Sequence, residues 1–144
     1  YWKISFNETA KVPAFYNFFP ELNHNEMAGF DSKIFDPERS REGSQRAPAS
    51  YGVDGKLNHK FVFIFLNDPD DEPRIQKRML ATKKIFEDRE FAVLPVDLSG
   101  PSLWHKSFAG ILTALWTSYF LAKHYGVDPE DISMIEDFKK SLTH

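Results

Sequence analysis

From His59 to Leu66 the chain reads His-Lys-Phe-Val-Phe-Ile-Phe-Leu, and its closing apolar run has the length of a strand buried on both faces of a parallel sheet. Asn67-Asp-Pro-Asp-Asp-Glu-Pro73 makes a turn. From Pro73 to about Arg89 the apolar positions Ile75, Met79 and Phe86, with their neighbours Leu80 and Ile85, recur at helical spacing behind a proline suited to a first helical turn. Glu90 to Leu98 predicts a second strand, ended by Gly100-Pro101, and Ser102 to His124 a long helix. Strand, helix, strand, helix in that order predicts a right-handed parallel α/β unit. A final helix is expected behind Asp128 as N-cap and Pro129 at its first position, with Ile132, Ile135, Phe138 and Leu142 on its apolar side.

The pattern upstream is less regular. Residues 13–22, Pro13-Ala-Phe-Tyr-Asn-Phe-Phe-Pro-Glu-Leu22, are aromatic and bounded by prolines, which predicts a short strand or extended segment. Asn23 then offers an N-cap to a short helix starting at His24, which places Glu26 at its third position. Between residues 32 and 58 no period persists among Pro37, Gly43, Pro48, Gly52 and Gly55, so this stretch reads as a long loop. A disordered or plain surface insertion is the simpler account, and a functional lid the other.

In the long helix, Phe108, Ile111, Leu112, Leu115, Tyr119 and Ala122 form a stripe expected to pack on the sheet, while Trp116, Phe120 and Leu121 lie off it. A helix apolar on more than one side is expected to meet a second domain or subunit. Thr117 and His124 share the face opposite the stripe, where they would line that junction.

Composition narrows the function. Eighteen Lys and Arg against 21 Asp and Glu, a formal charge of −3, argue against binding to nucleic acid or an anionic membrane. The longest apolar run, Phe61 to Leu66, is far short of the ~20 residues that span a bilayer. With no cysteine there is no disulfide, thiolate nucleophile or Cys-bearing zinc site, and a reducing, cytoplasmic setting is expected. The start at Tyr1, without Met and without a signal-peptide pattern, is expected of a domain within a larger protein.

Asn23-His24-Asn25-Glu26 concentrates polar and titratable groups between two apolar segments. Near a helix start such residues can meet an anion, such as a sugar phosphate or an enediolate. The plainer reading is a capping box in which Glu26 reaches back to Asn23. His24-x-Glu26 echoes zinc deaminases but lacks the Pro-Cys-x-x-Cys that chemistry needs, and no other histidine spacing favours a metal. Nucleophile-elbow, Walker and Gly-x-Gly-x-x-Gly motifs are absent from the sequence. Lys123-His124 places two proton donors at the end of the long helix, where a solvated helix end is the plain alternative.

Asn7-Glu-Thr-Ala-Lys11-Val-Pro-Ala-Phe-Tyr-Asn17 followed by Pro20-Glu-Leu-Asn-His-Asn-Glu26 resembles the signature of bifunctional phosphoglucose/phosphomannose isomerases in their C-terminal sugar isomerase (SIS) domain. Asp70-Asp-Glu-Pro-Arg74 with Arg78-Met79, and Tyr119-Phe-Leu-Ala122 with Gly126-Val-Asp-Pro129, are similar to that family in order and spacing. The resemblance covers the chain outside residues 32–58. It implies a three-layer α/β/α sandwich with a mainly parallel sheet. It also implies metal-free, cofactor-free interconversion of glucose 6-phosphate or mannose 6-phosphate with fructose 6-phosphate through an enediol.

The family glutamate corresponds to Glu26, a carboxylate able to carry the C2 proton. Lys123 and His124 are the candidates for ring opening, both left open, and His24, Asn25 and Thr117 are candidate substrate-binding residues. Implied partners are an N-terminal sugar isomerase domain bearing the phosphate loop, and a second copy in a homodimer. Two departures stand out: Glu72 replaces a histidine frequent before the Pro-Arg pair, and the 32–58 loop is long. Other readings are a sugar-phosphate sensor of the same fold, which needs no base at Glu26, and an interaction domain with a degenerate site.

Overall fold

The computed structural model describes residues 1–31 and 60–142. The expected loop at 32–58, and His59 and His144, lie outside them. The chain divides into two compact units, residues 17–99 and residues 1–16 with 100–144.

In the unit of residues 17–99, strand β1 (Val62–Asn67) and strand β2 (Ala92–Asp97) pair in parallel, from Val62 opposite Ala92 to Asn67 opposite Asp97. They are joined by helix α3, numbered for its place after helices α1 (Trp2–Glu8) and α2 (Glu26–Gly29), and running Pro73–Glu87. Pro73 opens α3 where a missing N–H costs nothing, and the Glu72 carboxylate caps it by accepting from the Arg74 amide at 2.9 Å.

Phe86, on the inner side of α3, is fully buried. Its ring stacks on Phe63 of β1 at 4.2 Å and meets Phe91, Phe30 and Phe65 edge-on at 5.9, 6.0 and 6.5 Å. Leu22, Met79 and Val93 complete this core. Alternation in the strands sends Val62, Leu66 and Leu94 to the other side, where Val62 is 58% and Leu94 53% exposed. The expectation of a strand buried on both faces is thus corrected within this unit, because α3 covers one face only. Of the two expectations for residues 13–22, a short strand or an extended segment, the strand does not form: Pro13 and Pro20 have no N–H to give a ladder. The segment leads into a 3₁₀ turn, Glu21–Asn23, and then α2.

The other unit holds α1, α4 (Leu103–Tyr125) and α5 (Ser133–Ser141). Helix α1 was not legible as a helix, and it packs on α4. The buried line on α4 is Lys106, Gly110, Ala114, Ser118 and Ala122, every fourth residue, mostly small enough for two helices to approach closely. Of the expected stripe only Ala122 belongs to that line; Phe108, Leu112, Leu115 and Tyr119 are exposed. Ser102 caps the start of α4, and Gly126, at φ 68°, ends it in the left-handed region that glycine enters without strain.

Helix α5 begins four residues later than a cap at Asp128 requires. Asp128 accepts instead from the Glu130 amide within a turn, and Asp131 accepts from the Ser133 amide at 2.8 Å. The Lys11 ammonium donates to the carbonyls of Glu8, Pro129 and Asp131, which ties this turn to the end of α1.

Phe86→Ala is expected to cost about 3–5 kcal/mol in denaturant unfolding, since the cavity removes ring contacts with both strands at once. The Asp131 carboxyl is held below its ordinary value of 3.8 by the Ser133 amide, then the Ser133 hydroxyl, with the Lys11 charge contributing less. A carboxyl depressed on folding stabilises fully above its unfolded value and loses that contribution as pH falls through the lower folded value. The stability advantage over Asp131→Asn should therefore be constant from neutral pH down to about pH 4 and fade below it in unfolding measured across pH.

Candidate functional site

The Glu26 turn is held from below. Leu22 is buried in the aromatic core, and Met27 packs against it one turn later. Between them Asn23 extends its side chain to α3, where Nδ2 donates to Thr82 Oγ1 at 2.7 Å. Thr82 is 1% exposed, and its single hydroxyl proton goes to the Arg78 carbonyl at 2.8 Å. That leaves the hydroxyl only as acceptor toward Asn23, which settles which end of the amide faces it. The Asn23 Oδ1 atom is buried with no partner among the described residues.

Asn23 is therefore not the helix cap expected from the sequence. Asn25 is: its Oδ1 accepts from the Glu26 amide at 2.6 Å, and its Nδ2 donates to Glu21 Oε1 at 2.7 Å. Glu26 stands first in a helix of four residues, instead of third in one starting at His24. Four residues build too little aligned dipole to act as an anion site. The capping-box alternative fails as well: among the described residues the Glu26 carboxylate and the His24 ring make no hydrogen bond, and both are exposed.

Beside this turn lies a cavity of about 160 Å³ lined by Asn23, His24, Met27, Asp31, Phe86 and Arg89. Arg89 donates to Asp31 at 2.9 Å across its edge. A site that encloses a small molecule has a volume of roughly 300–1,000 Å³, so this cavity cannot surround a hexose phosphate by itself. A larger one, about 390 Å³, opens at the carboxyl ends of β1 and β2 among Phe65, Asn67, Gln76, Met79, Lys83 and Asp97. Several of its polar side chains are already engaged: Asn67 donates to Asp97 at 3.1 Å, Gln76 donates to the carbonyls of Pro69 and Asp71, and Lys83 pairs with Glu87 at 2.9 Å.

In the other unit Thr117, Lys123 and His124 are exposed on α4. The Lys123 ammonium sits over the Tyr119 ring at 5.5 Å, and the His124 ring lies 5.5 Å from that of Tyr125. The structure thus groups His24, Asn25 and Glu26 on one turn, and Thr117, Lys123 and His124 on one helix. Thr82 escaped the sequence reading, although a polar residue completing the Ile75, Met79, Phe86 stripe was its signal. Among the described residues no cluster of three His, Cys, Asp or Glu could hold a metal, and no helix is long and apolar enough to cross a membrane.

These elements define a mixed α/β protein with a small parallel sheet and a carboxylate presented on a turn braced by the crossover helix. The chain belongs to the family described as the bacterial phospho-glucose isomerase C-terminal SIS domain, whose profile matches residues 1–142. It is 35% identical over 143 residues to a bifunctional phosphoglucose/phosphomannose isomerase of Aquifex aeolicus and 36% over 141 residues to one of Thermoplasma volcanium. A third, from Thermoplasma acidophilum, is 32% identical over 142 residues. Each comparison covers 98–99% of this chain but only 37–38% of the relative, so the chain spans little more than a third of their length. No solved structure matches.

Proposed function

We propose that this chain is the C-terminal half of an aldose–ketose isomerase that interconverts glucose 6-phosphate or mannose 6-phosphate with fructose 6-phosphate in the cytoplasm. Glu26 is the base. Its carboxylate removes the C2 proton of the open-chain aldose and returns it to C1 of the enediol, while a second group passes a proton from O2 to O1. The observation that carries this reading is the Glu26 side chain itself: exposed, without a hydrogen-bond partner among the described residues, and held on a turn bonded to α3.

His124 or Lys123 opens the sugar ring, and Thr117 contacts the substrate near C2. His24 lies beside Glu26 on the substrate side; Asn25 shapes the turn, since both ends of its amide are engaged. No metal or other cofactor enters the reaction. The small cavity beside Glu26 supports a site completed by other surface, which we assign to an N-terminal sugar isomerase domain, in a homodimer of two-domain subunits. The apolar outer face of the sheet supports a domain that matures into a three-layer α/β/α sandwich.

The test is Glu26→Gln in a protein carrying both halves. Gln keeps the size of Glu but cannot take the proton, so turnover of fructose 6-phosphate should fall by about 10²–10⁴ while sugar-phosphate binding persists. Near-normal turnover in the variant would remove Glu26 as the base. An inactive unmutated protein that still bound the sugar phosphate would favour the sensor reading.

A further inference from the structure

We infer that Thr82 is a positioning residue for the reaction, acting through Asn23 to fix the turn that presents Glu26; this rests on the reading of Glu26 as the base. Helix α2 is four residues long, too short to hold its own shape in water. Its geometry must come from what it is attached to. The apolar attachments, Leu22 and Met27, hold the turn against the core but are non-directional and permit sliding.

Among the described residues two directional attachments hold this segment: the 2.9 Å bond from Arg89, just past α3, to Asp31 after the end of α2, and, on the side that precedes Glu26, the 2.7 Å bond from Asn23 to Thr82 of α3. Thr82 is itself fixed twice, by burial and by donating to the Arg78 carbonyl at 2.8 Å, so the acceptor it offers does not rotate. From Asn23 the constraint passes through the 3₁₀ turn: the His24 amide donates to the Glu21 carbonyl, Asn25 donates to the Glu21 carboxylate, and Asn25 accepts from the Glu26 amide. The path to Glu26 thus runs from a rigid helix through one side-chain hydrogen bond, the backbone of Asn23 to Asn25 and the hydrogen bonds that hold that backbone in its turn. A proton-transferring carboxylate displaced by about 1 Å can lose 10²-fold in rate, so a bond of this kind bears on turnover without touching substrate.

Thr82→Val keeps the side chain's shape and removes the acceptor; Thr82→Ser keeps the acceptor; Asn23→Ala removes the donor from the partly exposed end and leaves the core intact. In the protein carrying both halves, Thr82→Val and Asn23→Ala should each lower kcat for fructose 6-phosphate by roughly 10–10²-fold with KM changed less than about 3-fold. Thr82→Ser should restore most of kcat, and the Thr82→Val/Asn23→Ala pair should be no worse than either single change, because both break one bond. Should Thr82→Val fold poorly, Asn23→Ala with the Ser variant still gives the result.

A normal kcat per folded molecule in Asn23→Ala, or a loss that Thr82→Ser does not restore, overturns the inference. Glu26→Gln separates it from the reading beneath it. An inactive Gln variant beside fully active Asn23→Ala rejects the positioning role alone, whereas an active Gln variant rejects the base and with it the need for positioning.

Discussion

The buried ring of Phe86 is the constraint on which the described unit of residues 17–99 depends. It touches Phe63 and Phe65 of β1, Phe91 at the entry to β2 and Phe30 at the end of the Glu26 segment, while its own backbone belongs to α3. Three other chain segments therefore meet one side chain. Aromatic edges and faces prefer particular orientations, so such a cluster fixes relative placement as well as contributing burial. The candidate base inherits that placement: Leu22 enters the same core just before Asn23 bonds to α3, one helical turn before Phe86.

This arrangement separates two tasks in one short segment. Leu22 and Met27 supply burial, and Asn23 and Asn25 supply direction, which leaves His24 and Glu26 exposed. The alternation follows from the tight turn at Glu21–Asn23, which points successive side chains inward, toward α3 and out to solvent. In a longer helix Glu26 would instead have been a capping residue with its carboxylate drawn back to the chain. The break after Asn23 is what keeps it available.

The parallel strand–helix–strand unit was legible because each of its elements carries a strong period or a clear stop. The continuous apolar run before Asn67, the Pro73 start and the Gly100-Pro101 stop all act locally. Helix α1 was not legible, since Trp2 to Glu8 is short and its packing depends on small residues of α4 that lie about a hundred positions away. For the same reason the large apolar residues of α4 drew attention, and the buried line through Gly110, Ala114 and Ser118 did not. Glu26 was singled out by the family signature and by the density of polar groups around it. The cap was expected at Asn23 and lies at Asn25, because capping by either asparagine gives the same sequence pattern and the bond of Asn23 to Thr82 acts from outside it.

The central claim is that a carboxylate on this turn moves a proton between neighbouring sugar carbons. Isomerisation in D₂O tests it directly, using fructose 6-phosphate, a protein carrying both halves, and NMR of the aldose formed. An enediol handled by an exposed carboxylate exchanges its proton with solvent, so the account predicts deuterium at C2 of the glucose 6-phosphate or mannose 6-phosphate produced. Aldose that carries only the original hydrogen at C2 throughout repeated turnover would contradict it, because a proton held on an exposed carboxylate exchanges with D₂O before every transfer can be completed.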